Sequence, residues 1–308
     1  MNATVIKTTG KYYTVKTESQ EIVECRLKGK FRIVDIKSTN PIVVGDKVHI
    51  QQESGSWMIV KLEERKNQIL RKSVNLSKQV HIIAANIDQA ILMITLESPV
   101  TTTAFIDRFL VTANAYDIDV VLLFNKQDLL IGELKEQQQD LQEVYTKIGY
   151  RCFSLSVAND NLLIIKDLMR DKVNMIAGHS GVGKSTLINK LQPGLNIKTN
   201  KVSDTHRQGQ HTTTFSQLHY LDFGASIIDT PGIRGFGLVA LDVNEIGNYF
   251  PEFFALRNAC KFYNCIHKNE PHCAVRINME KGQIARTRYK NYLNMLLEEE
   301  GHFRTNDY

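Results

Sequence analysis

Gly178-His179-Ser180-Gly181-Val182-Gly183-Lys184-Ser185 lies between an apolar run ending at Ile176 and the helix start Thr186-Leu187-Ile188-Asn189. The spacing G-x-x-x-x-G-K-[ST], set between a strand and a helix, is that of a phosphate-binding loop. Its glycines let the backbone wrap closely with N–H groups turned inward. The following helix start adds partial positive charge. Lys184 is expected to reach the β- and γ-phosphates, and the Ser185 hydroxyl to ligate Mg²⁺. Residues Gly178, His179, Ser180, Gly181, Val182, Gly183, Lys184, Ser185 and Thr186 are therefore expected to line a bound nucleoside triphosphate.

The base is read upstream. Asn125-Lys126-Gln127-Asp128 follows the buried-strand run Val120-Val121-Leu122-Leu123-Phe124 and matches N-K-x-D. The Asp128 carboxylate can accept from the ring N–H and the exocyclic amine of guanine together, a donor pair that adenine does not offer. Asn125 can bond the base and tie its loop to the phosphate loop, and the Lys126 stem can lie over the base plane. Alone, four residues with Gln127 among them could be an ordinary polar turn. Ser154-Leu155-Ser156-Val157-Ala158 ends the next strand, and Ser156 is expected to meet the base carbonyl. Asp229-Thr230-Pro231-Gly232 follows Ser226-Ile227-Ile228. There the Asp229 carboxylate would reach Mg²⁺ through water, and the Gly232 N–H the γ-phosphate. In Gln210-His211-Thr212-Thr213-Thr214, Thr213 is expected to sense Mg²⁺ and the γ-phosphate. The expected cofactors are GTP and Mg²⁺.

These motifs stand in a swapped order. The guanine motif and Ser156 precede the phosphate loop, so the pattern is that of a circularly permuted GTPase. Permutation is tolerated when the joined ends lie close together on the surface. Between residues 80 and 176 strand runs (Ala90–Ile94, Val120–Phe124, Cys152–Leu155, Val173–Ile176) alternate with helical stretches. That alternation predicts a parallel sheet covered on both faces. Thr102 or Thr103 is expected to cap a helix carrying Phe105, Ile106, Phe109, Leu110 and Ala113 on one face.

Residues 1–70 read differently. Short runs at Thr4–Ile6, Tyr12–Val15, Ile22–Leu27, Phe31–Val34, Lys47–Ile50 and Trp57–Val60 are punctuated by Gly10, Gly29, Pro41 and Gly45. No helical period is present, and a small closed barrel of the oligonucleotide-binding (OB) type is expected. Net charge is +7 over residues 1–78, −5 over 79–256 and +3 over 257–308. Basic ends suit a polyanion such as RNA, although solvated lysine faces have the same composition.

The composition, 43% apolar and 23% charged in 308 residues, is that of a globular chain with room for two or three domains. No run approaches the roughly 18 apolar residues of a membrane span. Met1–Val5 carries no basic-then-apolar leader, so secretion is not expected. Three of five cysteines crowd into residues 260–273. Cys260, Cys265, His267 and Cys273 form C-x4-C-x-H-x5-C, three thiolates and one imidazole suited to a closed tetrahedral Zn²⁺ site. His272 is the rival ligand, while Cys25 and Cys152 sit in strands as small hydrophobes. Residues 281–300 read as a helix with Arg286, Arg288 and Lys290 on a basic face.

The permuted motif order, the leading barrel and the Cys3His tail together resemble the RsgA (YjeQ) family over essentially the whole chain. Ala84–Gln89 and Gly209–Thr214 add to the likeness. The expected architecture is an α/β circularly permuted P-loop GTPase domain, preceded by an OB-type barrel and followed by a zinc-binding α-helical module. The boundaries expected are 1–70, 71–239 and 240–308. The resemblance implies a cytoplasmic GTPase that binds the small ribosomal subunit late in its maturation. It also implies contact with ribosomal RNA and hydrolysis stimulated by the ribosome; a monomer is expected. Ile233 stands where Ras-like enzymes hold a water-orienting glutamine, so unaided hydrolysis should be slow. His211, with Lys184 and Thr213, is the candidate catalytic residue, and Arg207 and Arg234 are nearby cations. A second reading is an RNA-binding assembly factor in which GTP binding, not hydrolysis, is the functional event. A third is an ATP-dependent enzyme in which the N-K-x-D run plays no part.

Overall fold

The computed structural model describes residues 1–28, 41–72, 80–195, 216–229 and 241–299. The first five strands alternate buried and open side chains, the period that a pleated strand imposes when one face is packed. They are β1 (Asn2–Thr8), β2 (Tyr13–Thr17), β3 (Ile22–Leu27), β4 (Lys47–Glu53) and β5 (Ser56–Leu62). They pair in the order β1-β2-β3-β5-β4 and close because β4 also pairs with β1. The pairing of β3 with β5 is parallel and the others are antiparallel. This is the five-stranded Greek-key closure of an OB barrel. Val5, Val15, Cys25, Val48, Ile50 and Ile59 fill its interior. The expected strand Phe31–Val34 lies outside the described residues.

A hairpin that periodicity did not signal follows, β6 (Gln68–Lys72) with β7 (Val80–Ala85). It joins the barrel to the next domain. Val44 bridges in parallel to Ala84, and the Ala85 amide donates to the Val44 carbonyl at 3.0 Å. The backbones approach so closely at Gly45, φ +92°, that a Cβ there would stand 2.0 Å from the Ala85 carbonyl oxygen. Beside it Asp46, fully buried, accepts from Arg65 Nε at 2.7 Å and Nη2 at 2.8 Å and from the Val43 amide at 2.8 Å. Arg65 completes its fork on the Pro41 carbonyl at 2.9 Å and on Gln68 Oε1 at 2.9 Å.

Next come β8 (Gln89–Ile94), α1 (Thr103–Ala115), β9 (Asp119–Phe124), α2 (Glu133–Lys147), β10 (Arg151–Ser154), α3 (Leu163–Met169) and β11 (Val173–Ala177). After these come α4 (Lys184–Leu191), β12 (Gln217–Tyr220) and β13 (Ser226–Asp229). Thr102, not Thr103, caps α1 by accepting from the Phe105 amide at 3.2 Å. The sheet runs β10-β9-β8-β11-β13-β12, with every pairing parallel except β12 on β13. β8 is buried at every position, as a strand covered on both faces must be. A pairing of Lys7 with Gln217 joins the sheet's β12 edge to the barrel.

The last module consists of a 3-10 stretch Val243–Tyr249 and helices α5 (Pro251–Phe254), α6 (Ala274–Glu280) and α7 (Arg286–Glu299). Ile246, Phe250, Phe253, Tyr292 and Leu296 form its core, and Val111 of α1 joins them. Arg288 corrects the expected basic face. It is 1% exposed and donates to Asp107 of α1 and to both Glu252 oxygens, whereas Arg286 and Lys290 are exposed.

Removing one partner of a buried ion pair strands the other charge. Arg65→Met should therefore cost about 3–5 kcal/mol in urea unfolding, because Asp46 is left uncompensated. A loss below about 1 kcal/mol would show that the joint does not depend on this pair.

Candidate functional site

The parallel strands all finish at one edge of the sheet, where ligands of open α/β sheets bind. β11 ends at Ala177 and delivers the loop Gly178–Gly183, and α4 begins at Lys184 with Gly183 as its cap, φ +107°. The loop rests on the end of the neighbouring strand β8. A Cβ at Gly178, φ +136°, would lie 2.6 Å from the Met93 carbonyl oxygen. A Cβ at Gly183 would lie 2.5 Å from Asn125 Nδ2. Both glycines are required by close approach, and together they leave a backbone-lined cradle. Lys184 Nζ crosses the cradle and donates to the carbonyls of Gly178 and His179, each at 2.7 Å. The Ser185 side chain, half-buried, follows in the first turn, and Thr186 is exposed beside it. Backbone amides, an ammonium and a helix start on one concave loop fit a polyphosphate, and the Ser185 hydroxyl is the donor type that Mg²⁺ takes.

The base loops converge on the same edge. Asn125 leaves the end of β9 and is 4% exposed. Its Nδ2 donates to the Val182 carbonyl at 2.8 Å, and its Oδ1 accepts from the Val157 amide at 2.9 Å. One side chain thus holds three loops from three strands. Lys126 adopts the left-handed conformation, φ 63°, and donates to the Ser98 carbonyl. Gln127 donates its amide to the Leu155 carbonyl at 3.4 Å. Asp128 is exposed in the 3-10 turn Gln127–Leu129. Its carboxylate is therefore open to a donor pair such as that of guanine. The buried Ser156 gives its amide to Asp160 Oδ2 at 2.6 Å.

Two further residues shape this loop without a motif to announce them. Asp160 is one. Lys190, on α4, is the other: its Nζ donates to the carbonyls of Val157 at 3.0 Å, Ala158 at 3.1 Å and Asp160 at 2.7 Å. An isolated lysine six positions past the phosphate-loop lysine carries no sequence signal. Met175 pairs with Ile228, which sets Asp229 at the carboxyl end of the strand beside β11. The readings of Thr230-Pro231-Gly232, Ile233, His211, Thr213, Arg207 and Arg234 fall outside the described residues.

The second site lies in the C-terminal module. Cys260, Cys265, His267 and Cys273 bring their ligand atoms within 4.8 Å of one another. His267 Nδ1 stands 3.6, 3.5 and 3.4 Å from the sulfurs of Cys260, Cys265 and Cys273. A tetrahedral zinc with bonds of about 2.3 Å to sulfur and about 2.0 Å to nitrogen has S···N edges of about 3.5 Å. The cage therefore fits zinc. His272 is exposed and is not part of the cluster. Burial pushes the Cys265 thiol up to about 12 and raises that of Cys273, so a cation is needed to hold these two as thiolates.

The loop bearing the ligands is fixed from within and from α7. Glu270 accepts from the amides of Ile266, Lys268 and Asn269 at 2.7, 2.8 and 2.9 Å. Burial opposes its charge, but these amides bring its carboxyl below the ordinary range. Tyr289 donates to the His267 carbonyl at 2.8 Å, and Tyr292 to that of Ile266. Gly247 packs close by, where a Cβ would stand 3.3 Å from His267 Cδ2.

The chain resembles known proteins along nearly its whole length. The model of the RsgA GTPase family matches residues 62–239, and that of the RsgA N-terminal domain matches residues 2–58. The chain is 54% identical to a protein of Flavobacterium johnsoniae named small ribosomal subunit biogenesis GTPase RsgA, covering 100% of this chain and 96% of that protein. A Bacteroides fragilis protein of the same name is 48% identical, with 99% of each chain covered. Among solved structures, YjeQ from Thermotoga maritima superposes with a TM-score of 0.80 at 33% identity, covering 97% of this chain and 98% of that one. YloQ, described as a circularly permuted GTPase, gives 0.75 at 29% identity, covering 98% and 96%.

Metal analysis tests the cage. The wild-type chain should carry about one zinc, and Cys260→Ser should lose it along with thermal stability of the C-terminal module. Equal metal content in the two would remove the assignment.

Proposed function

The chain belongs to the RsgA GTPase family, and on that premise we propose that its GTP turnover serves late maturation of the small ribosomal subunit. It works in the cytoplasm as a single chain, in three parts spanning 1–70, 71–239 and 240–308. The barrel and the zinc module hold ribosomal RNA, and docking on the subunit accelerates hydrolysis. The observation that carries the guanine assignment is the pair of hydrogen bonds made by Asn125, which joins the base-reading loops to the phosphate loop. The ribosomal role is supported by the names of relatives that are about half identical along the full chain.

In the proposed reaction a water oxygen bonds to the γ-phosphorus of GTP as the bond to the β–γ bridging oxygen breaks. GDP and phosphate result, and the water's proton passes to the released phosphate or to solvent. Asp128 accepts from the ring N–H and amine of guanine, and Asn125 holds that loop at a fixed distance from the phosphates. Gln127 and Ser156 brace the loops around the base through their amides, which donate to Leu155 and Asp160, and the Lys126 stem flanks the base. Amides of Gly178 through Ser185 and the Lys184 ammonium stabilise the charge that spreads over the transferring oxygens. Ser185, Thr213 and Asp229 are the residues that would hold Mg²⁺, which neutralises charge on the β- and γ-oxygens when bound. Gly232 is assigned to the γ-phosphate through its amide. His211 is assigned to accept a hydrogen bond from the attacking water, a task that the hydrocarbon side chain of Ile233 cannot perform.

GTP turnover measured alone, with small subunits and with large subunits tests this reading. Small subunits alone should raise the rate at least tenfold, and Lys184→Ala should abolish the increase. No response to small subunits, or an equal response to large ones, would defeat the proposed role.

A further inference from the structure

We propose that Phe105 positions the phosphate loop, and that helix α7 of the C-terminal module sets the position of Phe105 through Asp107. The nucleotide reading above is its premise.

The argument begins at the loop. Gly178, Gly181 and Gly183 all have positive φ, and a chain with so many glycines has more conformations to lose than an ordinary turn. One ring contact restrains it from outside. The Phe105 ring lies 4.0 Å, centroid to centroid, from that of His179, tilted by 34°. Burial, and then the Lys184 charge, lower the proton affinity of His179, so the neutral imidazole is the form that stacks. The backbone at Phe105 is held by the Thr102 cap in the first turn of α1, and its side chain packs partly buried against the core of the GTPase domain.

The other side of α1 faces the C-terminal module. Residues two apart on a helix point about 200° away from each other, so Asp107 projects away from the loop. Asp107 is fully buried. Its Oδ1 accepts from Arg288 Nη1 at 2.6 Å and from the Tyr145 hydroxyl at 2.8 Å, and its Oδ2 accepts from Asn291 Nδ2 at 2.6 Å. Arg288 and Asn291 both belong to α7, and Glu252 of α5 takes the rest of the Arg288 fork at 2.8 and 3.0 Å. The packing follows the same division. Ile106, Phe109 and Leu110 of α1 lie in the core of the GTPase domain, while Val111 lies in the core of the C-terminal module. Residues 105 and 107 share one continuous helix, and that helix carries a shift of α7 to the His179 contact.

Binding of a fluorescent mant-GDP probe to the full chain, with displacement by GTP and a thermal melt of each variant, tests the proposal. Phe105→Leu keeps the apolar bulk and removes the ring stack. It should raise the dissociation constant about three- to tenfold, the range expected of a stacked pair. Phe105→Tyr should restore tight binding, which a general loosening of the fold would not do. Asn291→Leu removes one clamp on Asp107. It should weaken binding about twofold or more in the native background and have no further effect in the Phe105→Leu background. Should Phe105→Leu fold poorly, His179→Ala reads the same contact from the opposite ring and should weaken binding comparably. Native affinity in Phe105→Leu or His179→Ala overturns the positioning role. An Asn291→Leu effect that is absent, or equal in both backgrounds, overturns the link to α7. A wild-type chain that binds no guanine nucleotide would instead defeat the premise, and the probe titration of the unmutated protein reads that separately.

Discussion

The Asn125 carboxamide is the contact on which the nucleotide site depends. It donates to Val182 in the phosphate loop and accepts from Val157 in the serine loop, at 2.8 and 2.9 Å, while standing at the end of β9. A carboxylate could not make the first bond, and an apolar side chain could make neither. Gly183 is glycine because a Cβ would collide with that same amide. The other two loops lie 57 and 32 residues from Asn125 along the chain. What makes them neighbours is the strand order β10-β9-β8-β11, which is indifferent to where the chain begins. A circular permutation therefore leaves the site intact, since a cleft at the carboxyl ends of parallel strands is a property of the sheet.

Around this sheet the other two modules are attached by buried charge. Asp46 and Arg65 lock the barrel to the hairpin β6–β7, and Asp107 and Arg288 lock the C-terminal module to α1. In both pairs the remaining hydrogen-bonding atoms are taken by neighbours, which is what makes such burial tolerable. A buried ion pair gives little net stability against an apolar substitute. It does fix geometry, because any slip exposes an uncompensated charge to a low-dielectric interior. A zinc ion held by Cys260, Cys265, His267 and Cys273 would have a comparable role at the far end, where a short polar loop lacks the apolar surface to order itself.

How much of this was legible depended on the range of the interaction. The phosphate-loop spacing, the N-K-x-D run and the Cys3His cluster are local patterns whose chemistry demands particular residues at particular spacings, and they were readable from the chain. The barrel strands were readable for a similar reason, since alternation reports one buried face. The hairpin β6–β7 was not, because the charged Arg71 and Lys72 break its pattern and its partner strand lies beyond intervening residues. Arg288 read as part of a basic face because its acidic partners are 181 and 36 residues away. Lys190 and Asp160 matter only once α4 and the serine loop are packed together. Gly45 was visible as a turn, but the 2.0 Å approach that requires it is a tertiary fact.

Nucleotide competition is the direct test of base and phosphates being gripped by these converging loops. For the wild-type chain, GTP should displace mant-GDP while ATP at the same concentration does not. In Asp128→Asn, an amide that donates replaces a carboxylate that accepts. Preference should therefore pass from GTP to xanthosine triphosphate, whose ring carries a carbonyl where guanine carries its amine. ATP displacing the probe as well as GTP does, or an Asp128→Asn chain that keeps its preference for GTP, would contradict the account.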